Sequence, residues 1–460
     1  MPVSDTHGDY AAKLHIWQKC RDLAAGQEAV HARGEAYLPR LEGQSEADYG
    51  AYKARALFYN ATQRTVDGMS GLIFRKAPRV ELPAALAGVL PDVDLNGTGL
   101  TGFAERLVEE LLTVGRAGVL VDHPPAHPGL VTAAQAADAN QRPFLRAYRA
   151  EDIVDWREGQ RRNAAVLTQV RLREAISMAA PGDEFRSLTA EQIRVLDLDP
   201  EGFYRQRVFR RLEGEWRQFG PDIQPRLDGR PMTRIPFVFF GPKGNRSSVG
   251  KPPLLDLVNV NLSHYRTTAD FEHGAHFTGL PTAVITGHRL EEGEGLAIGA
   301  GEAWVLPSPD AKAYFLEFSG QGLEALSDSL IRKEGQMAAI GARMLAPEKR
   351  QAETAESLAI RRGGENSVLA ALAQGVSQGM TRALSLLAAW AGVPGKVSFA
   401  LNRDYLPIAM TAEALKAHVA AWQAGALSDE SLFEALQQGE VIAEDLTFEE
   451  EAARKQSAGV

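Results

Sequence analysis

Residues 323–344 read LEALSDSLIRKEGQMAAIGARM and carry the most regular hydrophobic spacing in the chain. Leu323, Leu330 and Met337 recur at seven-residue intervals, which is the spacing of one helix face that packs on a partner helix. Lys333 falls where a second apolar series would continue. The sequence therefore predicts a helix with a short packing seam, not a long coiled coil.

A second long helix is predicted before this one. Leu254, Val258 and Leu262 follow one another at four-residue steps, directly after a linker rich in Pro, Gly and Ser at residues 241–253. Short strand-like runs fill residues 277–322 between the two helices. The order helix, small β module, helix therefore organises this part of the chain.

A third long helix is predicted over residues 357–391, with a kink near Gly363 and Gly364. Two short helices are predicted after residue 411, with Gly425 between them and Ser428 as an N-cap. The last 33 residues carry a net charge of −7, which is most of the charge of the whole chain.

The residues before the linker combine helices with strands. A buried strand is predicted at residues 117–122 and a series of further strands between residues 143 and 240. In one of them Val170 and Leu172 alternate with Arg171 and Arg173, the pattern of a half-exposed antiparallel strand. The predicted fold class is therefore α+β with an antiparallel sheet.

Composition excludes several classes of protein. The 460 residues include 50 basic and 59 acidic side chains, a net charge of −9, which argues against tight clamping of DNA. Cys20 is the single cysteine, so no internal disulfide can form. We recognise no signal peptide and no membrane-spanning segment, and we expect a soluble intracellular protein without a cofactor.

Motifs that could carry chemistry are weak. Residues 244–251 have the wrong glycine spacing for a phosphate-binding loop. Ser377 lies in a GxSxG string, but inside a helical pattern with no strand before it. His273 and His276 are three residues apart, and a metal-dependent hydrolase that uses them stays open as an alternative. No set of nucleophile, base and orienting group is evident, so we expect no enzyme.

One basic cluster surrounds the segment that joins the helix of residues 323–344 to the third long helix. Flexible cations in such a loop can touch a passing polyanion transiently, although a plain surface loop is an equally good interpretation. The residues of this cluster are Arg343, Lys349, Arg350, Arg361 and Arg362.

This order of parts resembles the portal proteins of tailed bacteriophages, in particular a subgroup often described only as phage proteins of unknown function. The resemblance extends over nearly the whole chain. It is carried by residues 59–78 (YNATQRTVDGMSGLIFRKAP), 115–124 (GRAGVLVDHP), 254–287 with His264-Tyr-Arg and Leu280-Pro-Thr, 352–358 (AETAESL) and 425–451.

The resemblance implies a non-enzymatic ring, usually of about twelve subunits, at one capsid vertex. Double-stranded DNA would pass through this ring without sequence recognition, during packaging and ejection. The implied partners are the terminase large subunit, head-completion or adaptor proteins, and capsid or scaffold proteins. The implied location is the virion, with assembly in the host cytoplasm. Another head-shell or adaptor protein is the remaining structural alternative.

Each segment takes a portal role by this resemblance. Leu254, Val258, Leu262, Leu323, Leu330 and Met337 become ring and stem packing residues, and the basic cluster faces DNA. The implied segments are an α+β wing (1–253), a first stem helix (254–276), a β-rich clip (277–322), a second stem helix (323–342), a tunnel loop (343–356), a long wing helix with a returning strand (357–410), and a crown with the acidic tail (411–460).

Overall fold

The computed structural model describes residues 2–125, 135, 139–161, 163–180, 183–212, 214–227, 229–279, 282–287, 309–316, 321–345, 367–403, 405, 412–439, 441–442 and 446–457. Within them the chain is a mixed α+β protein, and every strand pair is antiparallel. The fold class predicted from the sequence is confirmed. None of the helices in these residues combines the length and apolarity that a membrane span needs.

Helices form the beginning and the second half of the chain. The α-helices in the described residues are α1 (Gly8–Ala25), α2 (Gln27–Ala32), α3 (Glu46–Arg55), α4 (Ala61–Ile73), α5 (Leu100–Thr113), α6 (Leu255–Gly279), α7 (Gln321–Arg343), α8 (Val368–Trp390), α9 (Ala412–Gln423), α10 (Asp429–Gln438) and α11 (Phe448–Ser457). Short 3-10 helices lie at Gly34–Ala36, Ala84–Val89 and Ala150–Asp152.

The strands form one large meander and several small sheets. They are β1 (Arg79–Glu81), β2 (Ala117–Asp122), β3 (Phe144–Arg149), β4 (Ile153–Arg161), β5 (Ala164–Ala180), β6 (Asp183–Leu198), β7 (Tyr204–Leu212), β8 (Glu215–Gln218), β9 (Arg226–Leu227), β10 (Arg230–Pro231), β11 (Phe237–Phe240), β12 (Thr282–Thr286), β13 (Lys312–Leu316) and β14 (Ser398–Ala400). The meander runs β4-β5-β6-β7-β8, and β2 pairs with both β11 and β3.

The main core lies between β2, β11 and two helices, α5 and α8. All six residues of β2 are buried, because helices cover one face and the meander lies against the other. At Gly379 of α8 a Cβ atom would lie 2.3 Å from Cε1 of Phe240. The small residue thus lets the helix approach β11 closely.

The strand that the resemblance implies within residues 357–410 lies at Ser398–Ala400 and returns to the N-terminal region. It is β14, which pairs antiparallel with β1 and places Phe399 opposite Val80. The buried strand at Ala117–Asp122 has the predicted bounds. Gly363 and Gly364, the predicted kink, lie outside the described residues, as does the predicted start of the third long helix before residue 367.

The alternation in β5 was read incorrectly at Arg171. Val170 and Leu172 are buried as predicted, but Arg171 on the opposite face is buried too. Its Nε donates to Asp155 Oδ2 at 2.9 Å, and its Nη1 donates to the Val3 carbonyl at 2.8 Å. The N-terminal segment covers this face of the sheet, a long-range contact that local spacing does not encode.

The C-terminal tail contains one helix more than the sequence predicted. Ser428 caps α10 as expected, accepting a hydrogen bond from Ser431 N. The additional helix, α11, begins with a capping box, in which Thr447 N donates to Glu450 Oε2 at 2.9 Å and Glu450 N donates to Thr447 Oγ1 at 3.2 Å. This Thr-x-x-Glu pattern was the signal in the sequence that would have predicted the helix.

Candidate functional site: the helical hairpin

Helices α6 and α7 lie side by side and antiparallel, and together we call them the hairpin. Their close approach is visible at Gly274, where a Cβ atom would lie 2.8 Å from Cδ2 of Leu323. Strands β12 and β13 follow α6 and precede α7, and they pair in register from Thr282 opposite Leu316 to Thr286 opposite Lys312. A small antiparallel sheet therefore joins the two helices at one end of the hairpin.

Lys333 is a cross-link inside the hairpin. Its Nζ donates to the Ser263 carbonyl at 3.2 Å and also to the Thr267 hydroxyl. Burial lowers the pKa of this ammonium, and Asp270 opposes the shift. The sequence showed Lys333 only as a break in an apolar series. Among the described residues the Thr267 hydroxyl is the one side-chain partner, since the contact with Ser263 uses its backbone carbonyl, so the spacing of residues on α6 gave little signal for this contact.

His264 is the second polar contact between the two helices. Its Nε2 lies 3.4 Å from Glu334 Oε1, and Thr268 Oγ1 lies 3.4 Å from its Nδ1. Burial lowers the pKa of this imidazole, while Glu334 partly offsets the effect. His264 therefore favours its neutral form within the hairpin.

The base of α6 is fixed to the N-terminal helices. Asn261 is fully buried, and its Oδ1 accepts from the amide and the hydroxyl of Thr62 at 3.2 and 2.9 Å. Tyr52 OH donates to Asp270 Oδ1 at 2.6 Å further along the helix. Arg266 Nε donates to the Tyr37 carbonyl at 2.7 Å. These bonds hold α6 in one orientation on α3 and α4.

The three seam residues of α6 are closed inside their own chain. Leu254 lies in the main core, while Val258 and Leu262 pack among α1 and α3 residues. Of the two roles predicted for them, stem packing is compatible with this position. Contact with a neighbouring subunit is not, because at most 8% of each residue is exposed.

The three seam residues of α7 differ from one another. Met337 is buried against Leu257 and Ala61. Leu323 and Leu330 are half-buried. On the outer side of the helix, Ile331 is 64% exposed. The hairpin thus has one face covered by its own chain and apolar side chains that its own chain leaves uncovered.

Uncovered apolar side chains continue toward the small sheet. Phe277 at the end of α6 is 49% exposed, and Tyr314 of β13 is 50% exposed. Single exposed apolar residues are ordinary on protein surfaces. Here they lie on one projecting element, together with Ile331.

The end of α7 and the start of α8 meet at one point. Leu369 N donates to the Met344 carbonyl at 3.1 Å, and both side chains belong to the main core. The described chain thus ends at residue 345 and resumes at residue 367 in the same place. Arg343 is exposed there, whereas the other members of the predicted DNA-facing cluster lie outside the described residues: Lys349, Arg350, Arg361 and Arg362.

His273 and His276 do not form a metal site with other described residues. His276 Nε2 lies 3.1 Å from Arg55 Nη2, and a guanidinium at that distance repels a metal cation. The pKa of His273 is lowered by burial and by the positive charge of Arg55. No group of three or more His, Cys, Asp or Glu side chains in the described part of the chain is placed to hold a metal ion.

Ser377 has a structural role. It lies in the middle of α8, where its Oγ donates to the Ala373 carbonyl at 2.7 Å and accepts from Leu401 N at 2.9 Å. The hydroxyl thereby ties the segment after β14 to the helix. The serine nucleophile of a GxSxG motif lies on a sharp strand-to-helix turn, which this position lacks.

A family model described as a domain of unknown function (DUF4055) matches residues 253–391, the range that begins just before α6 and ends just after α8. This is less than half of the chain. No match was found among curated proteins.

Three solved structures are similar to most of the chain. A chain of the virion of a native gene transfer agent (GTA) particle is 13% identical, covering 89% of this chain and 98% of its own, with a TM-score of 0.41. A chain of the neck of a native GTA particle, computed with C12 symmetry, is 14% identical, with coverages of 86% and 94% and a TM-score of 0.39. A chain of the neck of an empty GTA particle, computed with C6 symmetry, is 14% identical, with coverages of 82% and 90% and a TM-score of 0.39. Likenesses this weak carry no functional argument, so the geometry of the chain itself has to carry one.

Proposed function

We propose that this chain is a portal subunit, a structural and non-enzymatic component of a virion. Copies of it form a ring at one capsid vertex, and double-stranded DNA passes through the ring during packaging and ejection. In this proposal the N-terminal α+β region is the wing, the hairpin is the stem, and the small sheet of β12 and β13 is the clip. Helices α9 to α11 form the crown.

The observation that supports this best is the construction of the hairpin. Its base is bonded to the N-terminal helices through Asn261 and Thr62, and its other end carries a two-stranded sheet. The chain then returns into the main core through α8. A rigid base with a projecting pair of α-helices suits a subunit that contributes one sector of a tube.

The uncovered apolar side chains support a ring of copies. Ile331, Phe277 and Tyr314 are between 49% and 64% exposed on the projecting element, and burying such surface stabilises an association. A head-to-tail contact that repeats around an axis closes into a ring. In the proposed ring each hairpin is covered by the hairpin of the next copy.

The charge of the chain suits a conduit for DNA. Tight binding of DNA needs many contacts between Lys or Arg side chains and phosphates. With a net charge of −9, the protein lacks the excess of cations that such binding requires. In the proposed ring Arg343 and the predicted tunnel loop supply sparse, transient contacts. The clip is the proposed docking site for the terminase large subunit and later for head-completion proteins.

The assembly state tests the proposal. Purified full-length protein should form a particle of about 600 kDa, if about twelve chains of 49.9 kDa close into a ring. Mass photometry gives this value, and averaged electron images viewed end-on should show a central hole. A monomer at high concentration contradicts the proposal. Many copies distributed over the capsid shell would favour a head-shell or adaptor protein instead.

The proposed contact with DNA is tested separately by charge reversal. The triple variant Arg343→Glu, Lys349→Glu and Arg350→Glu should assemble into rings but package little DNA. Reversal of three exposed arginines outside the loop, Arg186 and Arg211 on the meander and Arg230 in β10, is the matched control and should package normally. If the loop variant fails to form rings, these residues belong to a subunit interface.

A further inference from the structure

A cavity of about 700 Å³ lies where the meander, the linker after β11 and helix α8 meet. Three arginines from three separate segments line it: Arg234 before β11, Arg246 in the linker and Arg382 in α8. Ser247 and Ser248 add hydroxyl groups, and Glu158 is the one carboxylate among the lining residues of this cavity. The cavity is therefore positively charged in a protein that is negatively charged overall.

The three arginines are available to a ligand. None of their guanidinium groups forms a hydrogen bond or an ion pair with another residue in the described ranges, and all three side chains are exposed. Most other arginines of the neighbouring sheet are paired, as Arg205 and Arg207 are with Asp197. The cavity thus gathers unpaired cations in a region where pairing is the rule.

The linker side of the cavity is held in place from both sides. Asn245 Nδ2 donates to the Gly375 carbonyl of α8 at 2.9 Å. Arg116 Nη1 donates to the Ser247 carbonyl at 2.7 Å. Arg246 lies between these two anchored residues, so the backbone that presents its guanidinium is fixed before any ligand arrives.

Arg116 adds a buried positive charge next to the linker side of the cavity. It is 1% exposed, and its guanidinium carbon lies 4.1 Å from the Trp156 ring centroid and 4.8 Å from that of Phe239. Its Nε and Nη2 have no hydrogen-bond partner among the described residues. Burial lowers its pKa to about 10, opposed by Asp9. A charge that is poorly compensated in a low-dielectric interior is felt strongly by nearby groups.

We propose that this cavity binds the phosphate groups of a nucleotide-sized ligand. Guanidinium groups donate paired hydrogen bonds that match phosphate oxygens, and the serine hydroxyls can donate in addition. The volume lies within the range of small-ligand sites, about 300–1,000 Å³, which fits a nucleotide or the end of a single strand but not a duplex. Recognition here uses side chains, unlike the backbone amides of a phosphate-binding loop, so it does not depend on the glycine spacing of residues 244–251.

The proposal does not depend on ring assembly, because all lining residues belong to one chain. Isothermal titration of the full-length protein at fixed ionic strength should show saturable binding of inorganic tripolyphosphate, of dTTP and of a short oligothymidylate. Comparison of the first probe with the other two separates free phosphate from a nucleotide source. Citrate, a tricarboxylate, is the probe for a general anion site, because guanidinium groups form paired hydrogen bonds with carboxylates as well as with phosphates. In a cavity shaped for phosphate groups it should bind more weakly than tripolyphosphate. Equal binding of citrate, or no binding of any phosphate probe, overturns the proposal.

Variants connect the binding to this cavity. Arg246→Ala combined with Arg382→Ala should weaken tripolyphosphate binding by about tenfold or more, because each removes a charge-assisted hydrogen bond. Both side chains are exposed, so folding should be preserved. Arg211→Ala combined with Arg230→Ala is the matched control and should bind as the parent protein does. Glu158→Gln should strengthen tripolyphosphate binding several-fold, because it removes a negative charge from the cavity. If the double variant of Arg246 and Arg382 binds tripolyphosphate as tightly as the parent protein, the cavity is not the binding site.

Discussion

Helices α7 and α8 are both 23 residues long, yet their surroundings differ greatly. α8 buries twelve of its residues, among them Leu372, Val376 and Met380. Of the α7 residues, Met337 and Gly341 are buried. The helix with the more regular heptad in the sequence is thus the less covered one.

The difference shows what hydrophobic periodicity reports. A strict seven-residue repeat gives a narrow apolar stripe, which suits contact with one partner helix. The broader stripe of α8 includes Ala373, Ala383 and Leu384 beside its leucines, and it contacts sheet and helix together. Periodicity therefore indicates how wide the covered face is, but not whether the same chain covers it.

Leucine-to-alanine substitutions should give the largest difference in stability between α7 and α8. Leu372→Ala in α8 should lower the free energy of unfolding by about 2–5 kcal/mol, because it leaves a cavity in a closed core. Leu330→Ala in α7 is the same chemical change at a half-buried position, and it should cost about 1 kcal/mol. Urea unfolding under conditions without assembly measures both, and equal losses would contradict the comparison.

Charge on the outer side of α7 should affect assembly and leave the fold intact. Ile331→Glu should change the free energy of unfolding by less than about 0.5 kcal/mol, since the side chain is exposed. The ring fraction in mass photometry should fall sharply, because a carboxylate would be buried in the proposed subunit contact. Gln336→Glu adds the same charge at another exposed position of the helix and serves as the control. If the Ile331 variant forms normal rings, this face of α7 is not part of the subunit interface.

The smallest expected effect concerns pH and His264. Burial lowers the pKa of His264 in the folded chain, so the unfolded chain binds a proton more readily. Stability is therefore complete above the ordinary histidine pKa near 6.5 and is lost as the pH falls below it. One such group contributes at most about 1.4 kcal/mol per pH unit.

The variant His264→Gln removes this contribution and retains a hydrogen-bonding side chain. The difference in unfolding free energy between pH 7.5 and 5.5 should be smaller in the variant than in the parent protein. The variant His418→Gln, on the C-terminal helix α9, provides the control. An unchanged pH dependence in the His264 variant would show that the hairpin does not disfavour the charged imidazole.

Much of the fold could be predicted because it is encoded locally. The bounds of β2, the hairpin order of α6 and α7, and the Ser428 cap depend on residues a few positions apart. Arg171 and Lys333 were misjudged because their partners come from the N-terminal segment and from α6. The cavity arginines gave no sequence signal, since Arg234, Arg246 and Arg382 lie on three segments that only packing brings together.

The sequence by itself determined the α+β class, the helix–β–helix order, the acidic tail and the lack of a recognisable catalytic set. These follow from composition and from the spacing of residues within single elements. The tertiary structure alone decided which apolar faces are closed, which charges are paired and where unpaired cations gather. These depend on contacts between distant segments, because burial and charge compensation are properties of the space that several elements enclose.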